Sequence, residues 1–404
     1  MILRARIVVP VGAPVIEHGA VVILGNKIVA VGRSVDFPDG EDLDLGEVAL
    51  LPGLINAHTH LDYTMLRGAI HPPKSFTAWV QRLNALKRTL DSGDYLQAIT
   101  LGFRELQKWG TTTVCNIESF PELMPQMPPA LIRTWWFYEM IDVRHRLTTE
   151  EVVSGALGFF QNRSGPLVNF GLSPHAPFTA SIELYRRAAE CARSLGMPLT
   201  THVAESRQEL EMFSGARGEL HEFLKSIGRP MSDCGGVTPL AHLWRSGAID
   251  RDWLLVHLNE LTETDLALLG DDARCGASHI VHCPGSHRYF AHSPFPFRRV
   301  HELGANICVA TDSLASTDSL SLLGELRRVQ AAEPWLKAEQ LLPMVTANPA
   351  RALQRAETLG RIAPGALADL ITVPVSGNVA TVHEEIVGFD RPVSWMMIDG
   401  QILS

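Results

Sequence analysis

Two histidines separated by one residue, His58 and His60, end the apolar run LPGLINAHTHLD that begins at Leu51. On a strand, positions i and i+2 point to the same side, so the two imidazoles converge on one spot. Neutral imidazole is a ligand for zinc and for iron, and such a pair supplies half of a first coordination shell. Taken alone the tripeptide also fits two polar residues at a strand tip. Similar groups recur at the ends of later apolar runs: His202 and Glu205 in LTTHVAES, His257 in LLVHLNE, Asp312 in CVATDS. Each by itself reads equally as a satisfied buried polar group. Their recurrence at run ends points to one shared centre, where a divalent ion lowers the pKa of its water to about 7 and so supplies hydroxide near neutral pH.

Strand-like runs occur at 51–60, 111–118, 131–141, 167–175, 198–205, 253–259, 279–284 and 306–312, most of them followed by helical periodicity. Eight such units predict an α/β protein built on a (β/α)8 TIM barrel, in which active-site groups sit at the C-terminal ends of the strands. Helix starts are marked by Thr148-x-x-Glu151 and Ser206-x-x-Glu209, both read as capping boxes. Residues 1–50 and 361–404 share a different texture of short β runs and Gly turns. The two ends are expected to form one small β-sandwich domain, with the catalytic barrel inserted as residues 51–360. The stretch YTMLRGAIHPPKSFTAWV, from Tyr63, reads as a loop over the strand ends; Phe76 and Trp79 could be core contacts of the following helix or a wall for a flat substrate.

A chain of 404 residues with 46% hydrophobic and 20% charged residues is globular in composition, and a net charge of −9 lacks the concentrated basic face that nucleic acid requires. The cysteines form no C-x-x-C pair, which argues against a disulfide or thiolate-metal framework and suits a cytoplasmic location. No uninterrupted apolar stretch has membrane-spanning length, so no membrane partner is expected. A homo-oligomer is compatible with the sequence, which does not fix the assembly.

With HTH, HVAE, VH and TDS in this order, the chain resembles the amidohydrolase superfamily in its cytosine/adenosine-type deaminase and chlorohydrolase branch. The resemblance spans nearly the whole chain, including the closing segment GRIAPGALADL. It implies that His58, His60, His202 and Asp312 are metal ligands, that Glu205 is the proton-transferring acid, and that His257 holds the metal's water, with Asp312 also accepting a proton. Two-metal members bridge their ions with a lysine at the end of the fourth strand. This chain has no lysine between Lys108 and Lys225, so one divalent ion is expected, zinc by default and iron compatible with the same ligands.

The phrasing CPxSHxYF and TDSLASxxSLSLLxE is similar to that of aminodeoxyfutalosine deaminases, and more loosely to that of adenosine, S-adenosylhomocysteine and methylthioadenosine deaminases. The implied reaction is attack of metal-bound hydroxide on the amino-bearing carbon of a 6-aminopurine nucleoside, with release of ammonia. His175, His282 and Trp79 are candidate substrate contacts. A substrate with a remote carboxylate calls for a guanidinium, for which Arg144, Arg146 and Arg288 are the candidates. A triazine chlorohydrolase or aminohydrolase, and a non-enzymatic scaffold, are the competing readings.

Overall fold

The computed structural model describes residues 1–37, 40–72, 74–127, 129–143, 147–160, 164–271 and 278–403. Its first strands are β1 (Ile2–Val8), β2 (Ile16–Leu24), β3 (Lys27–Arg33), β4 (Asp42–Asp44) and β5 (Val48–Pro52). Then come β6 (Leu54–Thr59), β7 (Thr111–Glu118), β8 (Arg133–Met140), β9 (Val168–Pro174), β10 (Leu199–Val203), β11 (Trp253–His257), β12 (His279–His282) and β13 (Asn306–Val309). The chain ends with β14 (Leu370–Pro374), β15 (Met396–Ile398) and β16 (Gln401–Leu403).

Strands β6 to β13 pair in parallel and in sequence order, which is the predicted barrel. Between β13 and β6 the seam is closed mainly by side chains. Asn56 Nδ2 donates to Thr311 Oγ1 at 2.8 Å, and Thr311 N donates back to Asn56 Oδ1 at 3.2 Å. Thr59 Oγ1 adds a bond to Asp312 O at 2.8 Å.

The first strand-like run divides at Gly53. Residues before it join the flanking sheet as β5, and residues after it open the barrel as β6. A Cβ at Gly53 would collide with Thr112, so this close crossing between the sheets needs glycine.

The flanking sheet has the order β16-β15-β14-β5-β1-β2-β3, with β4 also on β1. It curls until its ends meet: Lys27 bridges Leu367, and Asn26 Nδ2 donates to Asp399 Oδ1 at 3.0 Å. Enclosed between its two halves are Leu3, Val21, Ile23, Ile28, Leu370 and Met397, contributed by both chain ends. Arg133 ties this unit to the barrel through Asp369 and Asp399, with nitrogen to oxygen distances of 2.9 and 3.1 Å.

The helix Ile182–Leu195 shows how the outer layer fixes the barrel. Ser181 caps its first turn by accepting from Leu184 N, and Gly196 ends it in left-handed backbone at φ 64°. Its buried face carries Leu184, Tyr185, Ala188 and Ala192. The Tyr185 ring packs on Trp253, and its hydroxyl meets Thr201 Oγ1 at 2.7 Å, one residue before His202. Burying a side chain such as Leu184 stabilises the fold by roughly 1.5–3 kcal/mol. Among the described residues, no helix is long and apolar enough to cross a membrane.

Candidate metal centre and active-site cavity

His58 and His60 leave β6 on the same side, as the spacing requires, and His202 joins them from the end of β10. Their ligand nitrogens lie within 4.8 Å of one another, and all three side chains are buried. His202 Nδ1 donates to His175 O at 2.8 Å, so Nε2 carries the lone pair; it faces His60 Nε2 at 3.3 Å. Both nitrogens of His58 are buried and, among the described residues, have no hydrogen-bond partner. Burial, followed by the nearby His58, pushes His60 down to about 3, and the same causes hold His202 well below the usual range. Buried imidazoles whose nitrogens converge, with those of His58 unbonded among the described residues, are the donor set a divalent cation requires, and the residues present therefore fit one.

Asp312 completes the nest from the loop after β13, with Oδ1 3.7 Å from His58 Nε2. Ser313 N donates to Oδ1 at 2.7 Å and Ser316 Oγ to Oδ2 at 2.9 Å, fixing the carboxylate's orientation. Burial would raise its pKa, but His58 and His257 hold it well below the usual carboxylate range. Glu205 is the opposite case. Burial first, then the charges of Asp312 and Glu209, push its carboxyl well above the usual range, which favours its protonated form. Its Oε1 lies 3.6 Å from His257 Nε2.

The strand ends that present these groups have left-handed backbone at Ala204 (φ 51°), His257 (77°), Leu258 (51°) and Asp312 (59°). Such conformations cost of order 1–3 kcal/mol each and persist only where the surroundings fix them. Glu209 does so beside Glu205, where its carboxylate accepts from Ala204 N at 3.1 Å and from Glu205 N at 2.8 Å. Ser206 still caps the following helix, but Glu209 bonds those two amides instead of the Ser206 amide that a capping box uses. Thr148 and Glu151 do form the reciprocal pair.

Above the histidines lies a cavity of about 350 Å³, lined among others by His60, His202, Glu205, His257, Asp312 and His175. The helix Phe76–Lys87 forms its apolar wall, so Trp79 both packs in a core, edge-on to Phe290, and faces the cavity. A larger hollow of about 1070 Å³ lies outside, touches none of the three histidines, and shares Asn84, Lys87, Phe223 and Ile227 with the inner cavity.

The structure places His282 and Arg288 elsewhere. Both line a neighbouring cavity of about 490 Å³, where His282 stacks on Phe295 at 4.1 Å; the Arg288 side chain is 74% exposed, 4.0 Å from Asp318. Arg144 and Arg146 lie outside the described residues.

Three charged cavity residues went unselected in the sequence: Glu139, Lys87 and Arg229. Glu139 ends the third barrel run by the rule that singles out Asp312, and that position was its available signal. Lys87 closes a helix and Arg229 follows another, where sequence offers none. Arg229 is committed to Asp233 and to the carbonyls of Pro177 and Phe178.

Residues 49–403 match the amidohydrolase family. A 5-methylthioadenosine/S-adenosylhomocysteine deaminase of Syntrophobacter fumaroxidans is 30% identical, over 95% of this chain and 91% of its own length. The crystal structure of an adenosine deaminase from Xanthomonas campestris with bound zinc superposes with a TM-score of 0.81 at 25% identity, covering 99% of this chain and 92% of that one. An aminofutalosine deaminase of Helicobacter pylori, in complex with methylthio-coformycin, shares the fold over the full length of both chains at TM-score 0.85 and 21% identity. The chain belongs to the amidohydrolase family and is a hydrolytic deaminase of that family.

Proposed function

We propose that the protein removes the amino group of a 6-aminopurine nucleoside, with aminodeoxyfutalosine as the substrate, using one divalent ion, zinc by default. The observation that carries this reading is the nest of three buried histidines and Asp312 beneath a cavity that Glu205, its carboxyl pushed up by burial, also lines. His58, His60, His202 and Asp312 would hold the ion. When bound, a divalent ion makes water nucleophilic at neutral pH. The remaining work falls to the protein's own side chains.

Glu205 delivers its proton to the ring nitrogen next to the amino-bearing carbon, which makes that carbon electrophilic. His257, 3.6 Å from Glu205, orients the attacking water by hydrogen bonding. Asp312 accepts a proton destined for the leaving ammonia, its carboxylate held in place by Ser313 and Ser316. Trp79, Phe76 and Phe178 offer a flat apolar surface to the purine, and His175 a polar contact. The printed names of the relatives support a nucleoside, since the sequence relative and both structural neighbours are named as deaminases of adenosine-type or futalosine-type substrates.

The test is a panel of aminodeoxyfutalosine, S-adenosylhomocysteine, methylthioadenosine, adenosine, pterins, cytosine and chloro-triazines, read by ammonia or chloride release. Aminodeoxyfutalosine is expected to show the highest kcat/KM. Inert aminopurines beside a turned-over triazine or pyrimidine would overturn the nucleoside reading and leave the metal site standing.

A further inference from the structure

Glu139 lines the cavity wall at the end of β8 with its side chain 10% exposed, and among the described residues only one of its carboxylate oxygens is hydrogen-bonded. Ser119 Oγ donates to Oε2 at 2.8 Å. Oε1 faces His175 Nε2 at 3.8 Å, beyond hydrogen-bond reach. His175 is itself half-committed, since Nδ1 meets Thr179 Oγ1 at 2.6 Å and Nε2 is left for the cavity. An acceptor and a ring nitrogen thus stand side by side on adjacent strands, next to the histidine nest but outside the cluster of its ligand atoms.

The surroundings keep Glu139 charged. Burial alone would favour its neutral form, but His175, His60 and Lys87 lower its pKa below the usual carboxylate value. Lys87 reaches it through a hydrogen-bonded chain: Lys87 Nζ to Tyr63 Oη at 2.7 Å, Tyr63 Oη to Ser119 Oγ at 3.2 Å, and Ser119 to Glu139. A carboxylate held ionised is a poor proton donor, so the acid role of Glu205 is not duplicated. What an ionised carboxylate with one open oxygen does in a ligand cavity is accept hydrogen bonds from the ligand.

We infer that Glu139 and His175 form a two-point clamp for the sugar hydroxyls of the substrate, with Glu139 Oε1 accepting from a hydroxyl seated over the gap and His175 Nε2 bonding the same or the neighbouring oxygen. The inference rests on the nucleoside reading above. It makes Glu139 a specificity-determining residue, selecting nucleosides over free bases and over deoxygenated sugars. A charge-assisted hydrogen bond in a water-poor site corresponds to roughly tenfold or more in apparent affinity.

Adenosine, 2′-deoxyadenosine, 3′-deoxyadenosine and 2′,3′-dideoxyadenosine should be compared as substrates of the metal-loaded wild type and of Glu139→Gln, which keeps the side chain's shape. The wild type is expected to show a KM about tenfold or more higher for the dideoxy analogue than for adenosine. Glu139→Gln is expected to raise KM for adenosine and leave the dideoxy analogue unchanged, with kcat and metal content near wild type. Equal losses for every analogue, no change in the variant, or a wild type indifferent to the hydroxyls would each overturn the clamp. The wild-type arm stands even if the variant does not fold. A wild type that deaminates neither this panel nor aminodeoxyfutalosine overturns the nucleoside reading itself, and the clamp with it; one that deaminates aminodeoxyfutalosine alone overturns the clamp and leaves that reading standing.

Discussion

The backbone amide of Asp312 donates to the carbonyl of His58 at 3.2 Å, while their side chains face each other 3.7 Å apart in the candidate metal nest. The residues that join the last barrel strand to the first are thus also two of the four groups proposed to hold the ion. Asn56 and Thr311 lock the same seam one step below. Asn56→Ala leaves the buried Thr311 amide without its acceptor, while the Thr311 hydroxyl keeps only its bond to Asp312 O, at a cost of about 1–3 kcal/mol. Thermal melting should register the loss, and metal affinity, measured by competition with a chelator, should fall with it. A variant destabilised with unaltered metal affinity would separate the seam from the site.

About one divalent ion per chain is expected in the purified enzyme, measured by elemental analysis. Chelation should abolish turnover and lower the melting temperature, because the convergent nitrogens of His58, His60 and His202 would lose the ion that holds them together. His202→Ala should lose the ion. Two ions per chain at full activity would contradict the single-metal reading.

Glu205→Gln is expected to keep its metal and lose kcat by about a hundredfold or more, the size of a general acid–base contribution. The neighbouring Glu209 separates position from chemistry. It holds the amides of Ala204 and Glu205, so Glu209→Ala should lower stability as well as kcat. Near-normal turnover in Glu205→Gln would remove that residue from the mechanism.

Burial pushes the Glu118 carboxyl from 4.5 up to about 8, and the bond from Phe120 N only partly offsets it. A carboxyl raised in this way keeps a proton that the unfolded chain releases, so the folded state binds more protons between about pH 4.5 and pH 8. Stability from this group is therefore present at the acidic end and lost as pH rises through that window. Glu118→Gln, which can still accept from Phe120 N, should show a shallower fall in melting temperature. Identical slopes for the two proteins would mean that Glu118 does not titrate there.

Much of the barrel and of the candidate metal nest was legible in the sequence because both follow a period. Alternation in an apolar run sets which side His58 and His60 share, and the parallel barrel sets which end of each run matters. The cavity wall obeys no such period. Trp79 and Lys87 come from a helix over the strand ends, and Arg229 from the excursion between β10 and β11. Glu209 shows the limit of local motifs: its spacing from Ser206 predicts a capping box, but the left-handed turn at Ala204 presents two other amides to the same carboxylate. Gly53 marks where a continuous apolar run serves two sheets, a division set by tertiary crossing that hydropathy does not record.

The curled sheet at the chain ends pairs β5 with β14, and Arg6 reaches Gly377 O at 2.7 Å across 371 residues. Synthesis delivers β1 to β5 before the barrel strands and β14 after them, so the edge of β5 waits unpaired while the barrel is made. An open apolar strand edge of that kind invites pairing with other chains, and contacts so distant in sequence form slowly. The final strands thus act as a clasp that shuts only after everything else is in place. A circular permutant that brings β14 ahead of β5 is expected to refold faster and aggregate less than the natural order of the chain.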